Sequence, residues 1–249
     1  MISPNALRLL NLGPTAWART QSVYRATAEL FPAAAPGAVI FGQPLHPYLT
    51  HGVQQFASET FDLAACERLG LPVVRRLFPG GAEYCDVNQL LFQWVLPPAV
   101  GAMHATFLRV ATAVLSAFQE FGVEADYDGA GQFAVKGARI GTLAGGRYEA
   151  ALVCLGIVYL EYDARRLAQV ERAPRPEKAT SLWTESSRPL SPEMAQAVLI
   201  EHFAREMGRP IERDPPRLPE TRAAKRIEAD LLGVKLEELP PEEAELSEH

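Results

Sequence analysis

The chain reads as an α+β protein: a large mixed, mostly antiparallel sheet flanked by helices. Three observations predict it. Helical and extended patterns follow one another without the strict alternation that builds a doubly wound parallel sheet. The clearest helix, 104–121, repeats Phe107, Leu108, Val110, Ala111, Val114, Leu115, Phe118 and Phe121 at helical spacing. The run Glu149 to Tyr162 is too β-branched and aromatic for a helix and reads as a long strand.

The remaining elements follow in chain order. Residues 14–31 read as an amphipathic helix, with Pro14 in its first turn and Trp17, Val23, Ala26, Ala28 and Leu30 on its apolar positions. Val39-Ile40-Phe41 is a short buried strand, and a second extended run surrounds Tyr48 to Val53. Residues 61–70 form a short helix capped by Gly70, after which Leu71 to Val74 starts a strand that runs into Arg75 and Arg76. A glycine turn leads to an apolar run from Leu90 to Leu96, stopped by Pro97 and Pro98. Gly122 ends the long helix. Phe133 to Val135 and Arg139-Ile140 are short strands about a turn at Gly137. Ser191 caps a helix that has Pro192 at its first position and ends before Gly208. Pro210, Pro215, Pro216 and Pro219 read as a stiff linker before a last helix over 219–233.

Length and composition bound the function. The 249 residues, 48% hydrophobic, fit one large domain with a small appendage, here 1–208 and 209–249. The net charge is −6, of which the last sixteen residues, with six Glu and one Lys, carry −5. The body is therefore near neutral and has no nucleic-acid footprint, and the acidic tail reads as a solvated terminus. No apolar run reaches membrane-spanning length, and no secretory signal is evident, so no membrane partner is expected. Cys66, Cys85 and Cys154 are widely spaced, which suits a reducing cytoplasm and excludes a disulfide framework or thiolate zinc site. The five histidines are scattered, and no metal site is expected. Gly129-Ala-Gly131-Gln-Phe-Ala134 follows a polar segment and leads into a strand, the wrong context for a pyrophosphate cradle, and reads as a turn.

The informative segment runs from Gly70 to Leu90, GLPVVRRLFPGGAEYCDVNQL. A buried strand delivers Arg75 and Arg76 to a turn, and alternation sends them to opposite faces. Gly80 and Gly81 allow close backbone approach and can offer N–H groups to an anion. Arginine beside bare N–H groups is an anion or acyl-phosphate clamp. As a pattern alone it is equally a tight loop with surface arginines.

The order of elements adds a resemblance. The chain resembles the lipoate–protein ligase and octanoyltransferase family, whose fold is the biotin/lipoate protein ligase catalytic domain. GLPVVRR, 70–76, matches that family's "G-[IV]-P-V-V-R-R", and LFPGGAEYCDVNQL, 77–90, follows in register with "xSGGGAVYHDxGNL". Tyr48 to Gly52 resembles the family's "tLG" turn. GAGQFAVKGARIGT, 129–142, is similar to "GxNDLxVxGRKIxG", and CLGIVYLEYD, 154–163, to "HHGTLLLNAD". The likeness covers roughly residues 7–208 in element order.

Several polar positions depart from the pattern. The glycine triplet is Pro79-Gly80-Gly81, the histidine of "YHD" is Cys85, and the Asn-Asp pair falls on Gly131-Gln132. The family's catalytic lysine falls on Arg139, which keeps a positive charge but does not readily lose its proton. Lys136 lies three residues earlier. Cys85, beside the glycine loop and Asp86, is the one cysteine to test as a nucleophile, and it is equally a small buried residue in a histidine's place.

The resemblance implies acyl transfer in protein lipoylation. Arg75 or Arg76 would hold the donor's anionic part, Gly80 and Gly81 would line an acyl tunnel, and Tyr84 and Asp86 would complete the binding set. Arg139 or Lys136 would stand at the reacting carboxyl. The substrate would be a lipoyl or octanoyl group. The acceptor would be a lysine on a lipoyl carrier domain or glycine-cleavage carrier protein, with acyl carrier protein as a donor. About forty residues follow the last matched helix, too few for the extra domain of ATP-using ligases, which favours transfer without ATP and Mg²⁺ or reliance on a second subunit. The rival expectation is a family member that binds an acyl or lipoyl group, or the carrier domain, without transferring. An open pocket joining Arg139, Arg75 or Arg76 and the glycine loop would favour chemistry; a filled one would favour the rival.

Overall fold

The structure, a computed structural model, describes residues 3–32, 35–97, 103–173, 178–186 and 190–234. The first part of the chain forms β1 (Leu7–Thr15), α1 (Trp17–Glu29), β2 (Ala38–Pro44), β3 (Tyr48–His51), α2 (Ala57–Thr60), α3 (Leu63–Arg68), β4 (Val73–Arg75), β5 (Glu83–Cys85) and β6 (Gln89–Leu96). The second part forms α4 (Met103–Glu120), β7 (Asp126–Tyr127), β8 (Gln132–Val135), β9 (Ala138–Tyr148), β10 (Ala151–Tyr159), α5 (Ala164–Ala168), α6 (Leu182–Glu185), α7 (Pro192–Met207), β11 (Ile211–Arg213) and α8 (Leu218–Leu232). The acidic tail expected after residue 234 lies outside the described residues.

Eight strands make one sheet in the order β11-β1-β2-β6-β10-β9-β8-β7. The two pairings of β1 are parallel and the other five are antiparallel, as the sequence predicts for a mixed, mostly antiparallel sheet. A smaller sheet, β4-β3-β5, carries the glycine loop between β4 and β5.

Strand β6 is buried along its whole length because helices cover both faces of the large sheet. Trp94 and Phe92 face Phe118 of α4 and Phe203 of α7 in one core layer. Val95 and Ile40 face Val23 and Tyr24 of α1 and Ile227 of α8 in the other. This is the two-periodicity of a strand written across two helical layers. Gly156 of β10 lies opposite Phe92, and any side chain there would collide with that ring.

Two segments take a different element from the one the sequence reading gives. The first helix begins at Trp17 rather than Pro14. Leu7–Thr15 is instead a strand, and Pro14 pairs with Gln43 beyond an irregularity that starts at Asn11. A proline is tolerated there because the regular ladder has already been interrupted. The proline-rich stretch expected as a linker contributes β11, paired in parallel with β1 as Leu7↔Ile211 to Leu9↔Arg213. Its three residues lie between Pro210 and Pro215 and retain the N–H groups an edge strand needs. The final helix then packs against α1 through Arg19–Glu228 and Glu29–Arg226 ion pairs.

The strand expected over 149–162 is two residues shorter at its start, because Glu149 takes a positive φ of 50° in the turn that joins β9 to β10. The predicted turn at Gly137 is a two-residue hairpin. Lys136 and Gly137 have φ of 50° and 79°, the left-handed pair that matches strand twist in a primed turn.

Candidate functional site

The glycine loop is built by backbone contact. Arg76 N–H donates to the His51 carbonyl at 2.9 Å and Val53 N–H to the Phe78 carbonyl at 3.2 Å, so the turn after β3 lies against the loop after β4. Gly52 faces the backbone of Gly80, and a side chain at Gly52 would strike it. Gly80 has a φ of 139°, a conformation that glycine takes without strain, and the Arg76 guanidinium occupies the space its side chain would fill.

The two arginines diverge as alternation predicts. Arg75 is exposed and donates to the Val53 carbonyl. Arg76 is buried and donates to the Gly81 carbonyl at 2.8 Å and the Thr50 hydroxyl at 3.2 Å. The sequence reading expects loop N–H groups to join the guanidinium around an anion. In the structure a loop carbonyl already accepts from that guanidinium.

Alternation along β5 divides the next four residues. Tyr84 and Asp86 point to one side, where Arg166 donates to the Tyr84 hydroxyl at 3.1 Å and to the Asp86 carboxylate at 3.2 Å. A cleft of about 450 Å³ opens there, lined by Pro47, Leu69, Leu71, Tyr84, Arg165 and Arg166. Glu83 and Cys85 point to the other side. Cys85 is fully buried against Tyr48, and burial, then the Glu83 charge, pushes its thiol up to about 12. This environment works against a nucleophilic role, because the attacking species is the thiolate. All three cysteines are buried. A water-soluble thiol reagent at pH 8 is expected to leave the folded protein unmodified and to label three thiols after denaturation. Rapid labelling of Cys85 in the folded state would contradict this placement.

Arg139 stands at the start of β9. Its guanidinium Nη1 donates to Glu83 Oε1 at 3.0 Å, with side-chain exposures of 11% and 5%. The Tyr159 hydroxyl donates to Glu83 Oε2 at 2.7 Å, so both carboxylate oxygens are used. Arg139 also lies 5.7 Å from the centre of the Tyr159 ring, which stacks on Tyr162 at 4.3 Å. Burial and the Glu83 charge hold the Tyr159 hydroxyl well above the ordinary phenol range, so it stays a donor. The main chain of 178–180 closes over this corner: Arg139 N–H donates to the Lys178 carbonyl and Thr180 N–H to the Arg139 carbonyl, each at 2.8 Å.

The space left beside Arg139 is about 40 Å³, lined by Ala82, Tyr162, Ala164, Glu171 and Ala179. That holds a water or two, against the roughly 300–1,000 Å³ of sites that take small organic ligands. Lys136, the other basic candidate, is exposed at the hairpin tip.

Three residues of this corner, Glu83, Tyr159 and Tyr162, were not singled out from the sequence. A signal existed. In the quoted register Glu83 falls on the valine of "AVYHD", Tyr159 on a leucine of "HHGTLLLNAD" and Tyr162 on its alanine. Three polar gains accompany the change of lysine to Arg139.

Comparison with known proteins places the fold. Residues 14–204 match the model of the lipoyl protein ligase A/B catalytic domain. Over 94 residues the chain is 32% identical to the lipoate-protein ligase LplJ of Bacillus subtilis (strain 168), a stretch that is 38% of this chain and spans 28% of that relative's length. Among solved structures the fold is similar to lipoate-protein ligase A bound with ATP, at a TM-score of 0.84 and 19% identity, covering 92% of this chain and 97% of that one. It is also similar to a structure from the bi-partite lipoate protein ligase and E2 lipoyl domain system of Thermoplasma acidophilum, at a TM-score of 0.83 and 20% identity, covering 95% and 98%.

Proposed function

The chain belongs to the lipoyl protein ligase A/B catalytic-domain family, and on that premise we propose that it acts in protein lipoylation in the cytoplasm by engaging a lipoyl carrier domain, without itself joining an acyl group to the carrier lysine. The observation that carries this reading is the Glu83–Arg139 ion pair in a corner with about 40 Å³ to spare. A cation that serves acyl transfer faces the substrate's carboxyl and developing oxyanion. Here that charge faces a protein carboxylate. The buried Cys85 offers no alternative nucleophile, and Arg76 faces the loop's own carbonyl.

The carrier domain is the preferred partner because a solved relative of the same fold belongs to a system described with its E2 lipoyl domain. Retention of a cation at position 139 favours a second reading, transfer of a lipoyl or octanoyl group by the wild-type chain. One experiment separates them. The protein is incubated with a lipoyl carrier domain, or a glycine-cleavage carrier protein, and either lipoate with ATP and Mg²⁺ or octanoyl acyl carrier protein. The carrier is then weighed by mass spectrometry, and its affinity for the chain is measured by calorimetry. A saturable complex with no mass gain is expected. An acylated lysine would overturn the first reading in favour of the second.

A further inference from the structure

We propose that the cleft beside Tyr84 is a docking site for the chain's own acidic segment, residues 235–249, with its glutamates on Arg165 and Arg166 and its leucines on the apolar floor. The cleft lies on the Tyr84–Asp86 side of β5, and the Arg139 corner on the Glu83 side, so this contact is separate from the carrier reading above.

Three observations point to that occupant. The first is where the described chain ends. Helix α8 runs antiparallel to α1, since Arg226 pairs with Glu29 at the end of α1 and Glu228 with Arg19 and Ser22 near its start. Val234 is therefore delivered toward the N-terminal end of α1. At that end the Thr15 carbonyl accepts from the Leu45 N–H at 2.8 Å, and Trp17 packs against Tyr48 and Val74. Pro47, between Leu45 and Tyr48, is a wall of the cleft. The fifteen residues after Val234 reach about 50 Å when extended, at roughly 3.3 Å each.

The second observation is the layering of charge. The Arg165 and Arg166 side chains are 87% and 51% exposed, whereas the carboxylates that pair with them, Asp163 and Asp86, are 35% and 10% exposed. Guanidiniums thus form the outer layer and carboxylates the inner one. Arg166 is pinned through Nη1 to the Tyr84 hydroxyl and Asp86, which leaves the rest of its fork for an outside acceptor. Arg68, next to the cleft residue Leu69, adds a third exposed cation. Against these, residues 235–249 bring six glutamates and one lysine.

The third is apolar surface. Leu232 and Val234 at the exit of α8, Leu45 beyond it and Leu69 in the cleft are between 38% and 52% exposed. Together they set out apolar surface from the end of α8 to the cleft. The segment supplies Leu236, Leu239 and Leu246 to cover it. Docked there, it closes the cleft to other acidic chains.

The test is paramagnetic relaxation enhancement by NMR on the full chain. The three native cysteines are buried, so a nitroxide attached to Ser247→Cys labels the segment alone. The backbone amides of Leu69, Leu71, Arg165, Arg166 and Gln169 are expected to lose most of their intensity, and to regain it when the nitroxide is reduced. The loss should shrink at about 0.5 M NaCl, where the Debye length falls to a few Å. It should also fall sharply with Arg165→Gln and Arg166→Gln together. Should that variant fold poorly, a second decides: glutamine at the six glutamates of 235–249 leaves every described contact in place and should show the same fall. Losses confined to the end of α8, or an undiminished loss in the glutamine variant, would overturn the proposal. So would an equal loss on isotope-labelled wild type mixed with an unlabelled nitroxide-bearing chain, which would assign the cleft to a second copy. No arm contains a carrier domain, so failure here leaves the carrier reading standing.

Discussion

Glu220→Ala is expected to lower the unfolding free energy by about 3 kcal/mol, the scale of breaking a buried ion pair from one side. Arg8 on β1 and Glu220 in the first turn of α8 are 6% and 7% exposed. Their contact is bidentate, Nη1 to Oε1 at 2.5 Å and Nη2 to Oε2 at 2.8 Å. Glu220 Oε2 also accepts from the Arg217 N–H at 2.7 Å, which closes the start of α8. The alanine variant thus leaves a buried guanidinium with Asp214, at 2.6 Å, as its remaining carboxylate, and removes the helix cap as well. Glu220→Gln keeps the shape and the cap and should cost less. The measurement is urea unfolding at pH 7. A loss under about 1 kcal/mol for the alanine variant would mean that α8 is only loosely attached, and that residues after 208 behave as an appendage.

Much of this architecture is legible in the residues. Helix α4 is set by its apolar stripe, α7 by Ser191, Pro192 and Gly208, and the β8–β9 hairpin by Lys136-Gly137, all local signals. What local pattern misses is decided by partners far along the chain. Leu7–Thr15 is a strand because β2 and β11 flank it, and β11 is a strand because β1 is there to receive three residues between prolines. The site shows the same division. Alternation along β4 and β5 correctly separates Arg75 from Arg76, and Glu83 and Cys85 from Tyr84 and Asp86. It does not say that Glu83 will meet Arg139, 56 residues later, because that contact joins the small sheet to the large one. The same limit explains why the sequence does not show that Arg75 meets Val53, Arg76 meets Thr50 and Gly81, and Arg139 meets Glu83.

The central claim, that the Arg139 charge is directed at Glu83, is tested most directly by a double-mutant cycle on stability with Glu83→Val and Arg139→Met. Each single variant removes one half of a buried ion pair and is expected to cost about 3–5 kcal/mol. The double variant removes both charges and should cost less than the sum. The Tyr159 hydroxyl loses its acceptor in both Glu83 variants, so that loss cancels from the cycle. A coupling energy of about 2–3 kcal/mol, in urea unfolding at pH 7, is the predicted result. Single-variant costs that add within about 0.5 kcal/mol would contradict it, and would return Arg139 to the role of a cation open to a substrate.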